Sequence, residues 1–146
     1  MRKKLQPLMI GWKERIDFPD WQLRRVKAKI DTGARTSALD VSRCILHTLP
    51  DGVVQAELHL SLFRRKPDKV VVVETPVLGM VVVANSAGIC EERPLIETTL
   101  RLGAVVKRIR LTVTSRLGMR FAVILGRKAL EDDFIVDVSR KYLQRD

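Results

Sequence analysis

Apolar and polar residues alternate along several stretches of this chain, and the clearest of these runs into an informative tripeptide. Val26, Ala28 and Ile30 alternate with Lys27 and Lys29, the two-residue period of a strand with one buried and one wet face. Val53 to Leu62 alternates in the same way and predicts a second strand, followed by a charged loop over Arg64 to Lys69. The valine runs Val70 to Glu74 and Val77 to Ala84 read as strands interrupted by Pro76, since β-branched residues suit a pleated sheet. Asn85-Ser86-Ala87-Gly88 is the strongest turn signal. It joins Val81 to Ala84 to a segment running through Arg93-Pro94 to Leu102, which predicts a hairpin. Lys107 to Thr114 and Phe121 to Leu125 are further strands, Gly126 to Asp132 a short helix and Phe134 to Val138 a last strand; Thr36 to Leu39 is expected to form only a brief turn. The pattern predicts a mostly β fold with one short helix in the C-terminal half.

The strand ending at Ile30 delivers Asp31-Thr32-Gly33-Ala34. A carboxylate at a strand end, then a small hydroxyl residue and a glycine that lets backbone or substrate come close, is a way to present an acid/base group. Peptide hydrolysis without a metal or a covalent nucleophile needs one group to take a proton from water and another to give one to the carbonyl oxygen. Two carboxyl groups in contact divide those roles, because both cannot ionise there. Only one Asp-Thr-Gly occurs in the chain, so a catalytic reading takes the second aspartate from a second copy across a two-fold axis. In isolation the tripeptide is far more often a plain turn. Its context raises it: an alternating strand before, small residues after, and a buried-type strand downstream that ends in Gly126-Arg127.

Asp31-Thr32-Gly33-Ala34, together with Ile124-Leu125-Gly126-Arg127, resembles the retropepsin-type aspartic proteases. More narrowly, the chain resembles the bacterial retropepsin-like proteins often called ATP-dependent zinc proteases, some of which accompany the ligase that adds glutamates to a ribosomal protein. The shared blocks are Gly11 to Glu14, Pro19-Asp20, Lys27 to Leu39, Glu92 to Ile96, Ser115-Arg116 with Met119, Leu125 to Arg127, and Val136-Asp137 with Ser139. The resemblance implies one acid-protease β-barrel domain over residues 1 to 146, working as a homodimer. Asp31, Thr32 and Gly33 would be catalytic, and Gly126 and Arg127 would support them. It implies substrate contacts from Ala34 and Arg35 and from a flap near Val83 to Glu92 that carries Ser86, Ala87 and Gly88. Two positions depart from the pattern. Arg35 stands where retroviral relatives carry an acidic partner for the arginine of Gly-Arg, and Asp40 stands where the bacterial family commonly has histidine.

Zinc and ATP are not expected as cofactors. There is no His-Glu-x-x-His helix and no phosphate-binding Gly-x-x-x-x-Gly-Lys loop. Cys44 and His47 have a ligand-like spacing but lack further ligands nearby, and His59 lies on the polar side of its strand and reads as solvated.

With 146 residues, 46% of them hydrophobic and few aromatic, the chain can bury one core of valine, leucine and isoleucine. The basic start is followed by too short an apolar run for a signal peptide, and no segment is long enough to span a membrane. Two cysteines are too few for a disulfide scaffold, so a cytoplasmic protein is expected. The net charge is +10, and Thr98 to Gly126 holds six basic residues and no acidic one, a field that attracts polyanions. For a protease it favours acidic, polyglutamate-like peptides, with Arg35 contacting a substrate carboxylate. The other use of Arg35 is a structural ion pair with Asp40 or Asp137. Nucleic acid is the rival partner, less favoured because no RNA-binding signature accompanies the charge.

Overall fold

In the computed structural model, residues 6–63, 66, 68–84, 87–115 and 120–144 are described. Twelve strands, one four-residue α-helix and a single 3₁₀ turn at Pro19–Trp21 make up the regular structure of these residues. The strands are β1 (Leu8–Ile10), β2 (Lys13–Phe18), β3 (Leu23–Ile30), β4 (Ser37–Asp40), β5 (Arg43–Thr48) and β6 (Val54–Leu60). They continue with β7 (Val71–Pro76), β8 (Gly79–Ala84), β9 (Cys90–Leu102), β10 (Val105–Thr114), β11 (Val123–Leu125) and β12 (Phe134–Val136); the helix α1 is Arg127–Leu130.

The main sheet runs β10-β4-β11-β3-β2-β9-β8, and β9 also pairs with β10. That second pairing closes six of the seven strands into a barrel and leaves β8 outside as an edge. β9 can serve three neighbours because it is long: its start pairs with β8 from Cys90 to Leu95, its later part with β10 from Leu95 to Leu102, and Arg101 with Asp17 of β2. A smaller antiparallel sheet β5-β6-β7 packs against the barrel, and β1 lies parallel to β12. The core is aliphatic, with Ile16, Leu39, Leu58, Ile96, Leu100, Leu111 and Leu125 almost fully excluded from water. Each contributes about 2 kcal/mol by burial.

β3 has the predicted alternation: Val26, Ala28 and Ile30 are buried while Lys27 and Lys29 are exposed. The expected turn at Thr36 to Leu39 is instead largely the strand β4, inserted between β10 (parallel) and β11 (antiparallel). With neighbours on both edges and a burial pattern that does not alternate, β4 carries no two-residue signature. Pro76 does not interrupt a strand; it ends β7, where a missing N–H is tolerated.

Glu14 is fully buried on β2. One of its carboxylate oxygens accepts hydrogen bonds from the amides of Gly11 (2.7 Å) and Leu143 (2.9 Å), and the other from Gln144 (3.1 Å). Gly11 lies so close to the backbone of Arg140 that a Cβ would collide with it. The C-terminal segment is thereby stitched onto the start of the barrel.

Candidate active site

β3, β11 and β4 build the candidate site together. β11 lies between the other two, parallel to β3 and antiparallel to β4, so the chain from Asp31 to Thr36 must cross over the end of β11. The crossing is tightly braced. The Asp31 amide donates to Leu125 O (2.8 Å), the Arg127 amide to Ala34 O (2.8 Å), and the Lys128 amide to Arg35 O (3.0 Å). The Gly126 amide donates to the buried Ser37 hydroxyl at 3.0 Å. Gly126 has extended backbone, so its need is room: a Cβ would stand 2.6 Å from Thr36 O and 2.9 Å from Ala34 O.

Arg127 finds its partner in the same loop. Its guanidinium donates to the carbonyl of Thr32 at 3.0 Å, replacing the side-chain pair that Arg35 rules out. Within the loop, the Asp31 carboxylate accepts the Gly33 amide at 3.0 Å, which fixes the rotamer of the aspartate. Asp31 is half-buried, and Thr32 and Gly33 are exposed. The structure therefore brings together five of the expected site residues, Asp31, Thr32, Gly33, Gly126 and Arg127, and ties Ala34 and Arg35 to them through the backbone.

The predicted hairpin forms from β8 and β9, with Ala84 opposite Cys90. Ala87 and Gly88 are exposed at its tip, where Gly88 takes a positive φ of 80°; Ser86 lies outside the described residues. Met80, Val82 and Ile89 expose apolar surface on the hairpin, Val82 to 67%. Between the Asp31 loop and the root of the hairpin lies a cleft of about 560 Å³. Arg35 and Thr36 form one wall, Val81 and Leu95 another, and Glu97, Arg110 and Lys128 also reach it. Ala87 and Gly88 do not line it. Val81 and Leu95 were missed by sequence reasoning, since nothing local marks a valine and a leucine as cleft walls.

Other expectations change. Arg35 is exposed and forms no ion pair with Asp40 or Asp137. The Asp137 carboxylate is engaged by the Ser139 hydroxyl (2.7 Å) and amide (3.0 Å), which hold its pKa below the usual range. His59 is not simply solvated; it is half-buried against Glu57 at 2.9 Å. Cys44 and His47 sit three residues apart on β5, which sends them to opposite faces. Burial pushes the Cys44 thiol up.

Three of the six cations foreseen over Thr98 to Gly126 meet carboxylates, and Arg116 lies outside the described residues. Lys107 pairs with Asp133 (2.6 Å), Arg108 with Asp20 (2.6 Å) and Glu97 (3.4 Å), and Arg110 with Glu97 (3.7 Å). The sequence places all of these carboxylates outside the stretch, so their compensation is invisible until the chain folds. Among the described residues, no helix is long and apolar enough to cross a membrane.

A closed barrel in which an Asp-Thr-Gly loop straddles a strand ending in Gly-Arg defines a retropepsin-like fold. The chain belongs to the RimB-like family, described as retropepsin-like aspartic endopeptidase RimB, whose family model matches residues 9–146. It is 32% identical over 137 residues, 94% of its length, to a Desulfotalea psychrophila protein named "Probable alpha-L-glutamate ligase". A Parasynechococcus marenigrum protein of the same name is 32% identical over 89% of the chain. The chain spans under a third of these relatives, 29% and 28% of their lengths. In fold it is similar to the crystal structure of a Legionella pneumophila protein of unknown function, with a TM-score of 0.77 at 22% identity over 94% of this chain and 98% of that one.

Proposed function

We propose that the chain is one half of a homodimeric aspartic peptidase in which Asp31 and the partner's Asp31 share one proton around a water molecule. The observation that carries this reading is the braced Asp31 loop. It presents a half-buried carboxylate with a fixed rotamer, flanked by exposed Thr32 and Gly33, on a loop whose next residues Arg35 and Thr36 wall a cleft that Val81 of the hairpin also lines, although Asp31, Thr32 and Gly33 do not line it themselves. A lone carboxylate lacks the second group that the chemistry needs, and a two-fold axis at this surface supplies it.

In the reaction, the ionised carboxylate takes a proton from water as the oxygen attacks the peptide carbonyl carbon, and the protonated carboxyl gives its proton to the carbonyl oxygen. Collapse of the tetrahedral species breaks the C–N bond, returns a proton to the first carboxyl group's partner and delivers one to the departing amine. Thr32 links the two loops, Gly33 and Ala34 leave space for the substrate backbone, and the β8–β9 hairpin excludes water. No metal or nucleotide takes part in this scheme.

The substrate class we favour is an acidic, glutamate-rich peptide. Arg35, which forms no ion pair among the described residues, stands in the cleft wall with Lys128, whose only carboxylate partner among them is the exposed Glu131 at 3.9 Å, and the relatives' names refer to glutamate chemistry. The protein acts where both its folded dimer and such peptides meet, the cytoplasm.

The deciding experiment is Asp31→Asn. Hydrolysis of a glutamate-rich peptide is expected to vanish, while sedimentation still shows a folded dimer. Retained hydrolysis, or a wild-type protein that stays monomeric at assay concentration, sinks the reading. A folded dimer that binds the peptide without cleaving it would instead identify a silent binding domain.

A further inference from the structure

Six cations that the fold leaves without carboxylates gather at a second cleft, on the barrel wall. This cleft of about 530 Å³ is entered from the outer face of β2 and β3, where Lys13, Arg25 and Lys27 line it. The chain after β6 adds Phe63, Lys66 and Lys69, and the segment leading into β11 adds Arg120 and Phe121. No carboxylate lines it, and among the described residues none of its six cations forms an ion pair.

Two features make this more than a solvated sheet face. First, the register sets Lys13 directly opposite Lys29 and Arg15 directly opposite Lys27, two like-charge pairs that destabilise the hairpin of β2 and β3. Second, aromatic side chains converge among the cations. The Arg15 guanidinium lies 4.1 Å from the Tyr142 ring centre, and the Lys69 ammonium 4.6 Å from that of Phe63. Phe121 sits edge-on to Trp12 with centroids 6.3 Å apart. The three lining rings come from residues 63, 121 and 142, so no local sequence signature announces them.

We infer that this cleft binds single-stranded nucleic acid. Lys27 and Lys29 stand on one face of β3 about 6.7 Å apart, and Arg25, which takes a positive φ of 57° beside the irregularity between Ile16 and Phe18, adds a third cation to a track on which backbone phosphates can be neutralised. The rings offer apolar surface for bases, the combination of cationic groove and aromatic platform that sequence-independent single-strand binding uses. Cations alone would serve an acidic peptide equally; the aromatic lining is what favours a polynucleotide. The inference is independent of peptide hydrolysis, so Asp31→Asn binds as the wild type does.

The test is fluorescence anisotropy of the full chain with labelled twelve-nucleotide oligo-U RNA and oligo-dT DNA, competed by oligoglutamate. Binding to either is expected, and the better ligand names the source. If four phosphates are neutralised, affinity falls about 50-fold between 50 and 200 mM salt. Lys27→Glu replaces a like-charge pair by an attractive one, so it should raise the melting temperature while weakening binding at least about tenfold. Phe63→Leu keeps the apolar volume and should weaken binding about fivefold with an unchanged salt slope. Binding by neither oligonucleotide, or displacement by oligoglutamate at equal monomer concentration, overturns the inference. So does an affinity that Lys27→Glu leaves unchanged.

Discussion

The Asp31 loop and the β8–β9 hairpin face the same cleft but are built to opposite specifications. The loop donates a hydrogen bond to Leu125 O, accepts bonds from Arg127 and Lys128, is followed by Ser37, whose hydroxyl accepts the Gly126 amide, and has no room for an added methyl at Gly126. The hairpin belongs to an edge, paired only through β9, and exposes Met80, Val82 and Ile89 to water. Local stability differs accordingly across the cleft; under the proposed function the rigid wall carries the chemistry and the yielding wall closes. Substitutions in the loop should therefore damage stability and activity together, and substitutions in the hairpin should damage activity alone.

The largest effect is expected from Gly126→Ala. The new Cβ meets backbone oxygens that cannot step aside, so unfolding free energy should drop by about 3 kcal/mol and hydrolysis should be lost. Urea titration that moves by less than about 0.5 kcal/mol would show that the crossing is looser than described. Arg127→Ala comes next, costing about 1 kcal/mol for an exposed but charge-assisted bond to Thr32. Its activity loss should exceed its stability loss, because Asp31 is then poorly oriented. Equal losses in both would make Arg127 merely structural.

Val81→Ser inverts the pattern, because Val81 lines the cleft while Val82, next along the strand, points to the opposite face. Stability should fall by no more than about 1 kcal/mol at this half-buried edge position, while closing the hairpin over substrate forfeits about 1.5 kcal/mol of valine burial and raises KM about tenfold. An unchanged KM would remove the hairpin from the substrate path. The smallest effect is a rate difference at the two thiols. Cys90 is exposed at the start of β9, whereas Cys44 is half-buried with its thiol pushed up. A disulfide reagent at neutral pH should label Cys90 at least about tenfold faster, and labelling of Cys44 should accelerate only at higher pH, as its thiolate forms.

Much of the rigid wall was legible before folding. β3 announces itself by strict alternation, and Asp31, Gly126 and Arg127 stand at the ends of the elements that position them. The hairpin was legible from its turn residues. What escaped did so for physical reasons. β2 hides because Glu14 and Asp17 face inward, so charge marks the buried side and reverses the usual signal. β4 pairs on both edges and is only four residues long. β1 is a three-residue strand stabilised by a partner at the far end of the chain. The partner of Arg127 is a backbone carbonyl, which no side-chain pattern encodes. The pairing of these charges was hidden for a related cause: Asp20 and Asp133 are remote from Arg108 and Lys107 in sequence and adjacent only in the barrel.

The buried carboxylate of Glu14 also sets an order of events during synthesis. Its hydrogen-bond donors Leu143 and Gln144 are 129 and 130 positions later in the chain. Until they are made, closing the barrel around Glu14 would strand a carboxylate with too few donors, which is strongly unfavourable. Closure of the barrel around Glu14 must therefore wait until Leu143 and Gln144 have been made. Such long-range dependence slows folding, and it makes the last described residues the latch that commits the barrel to its final form.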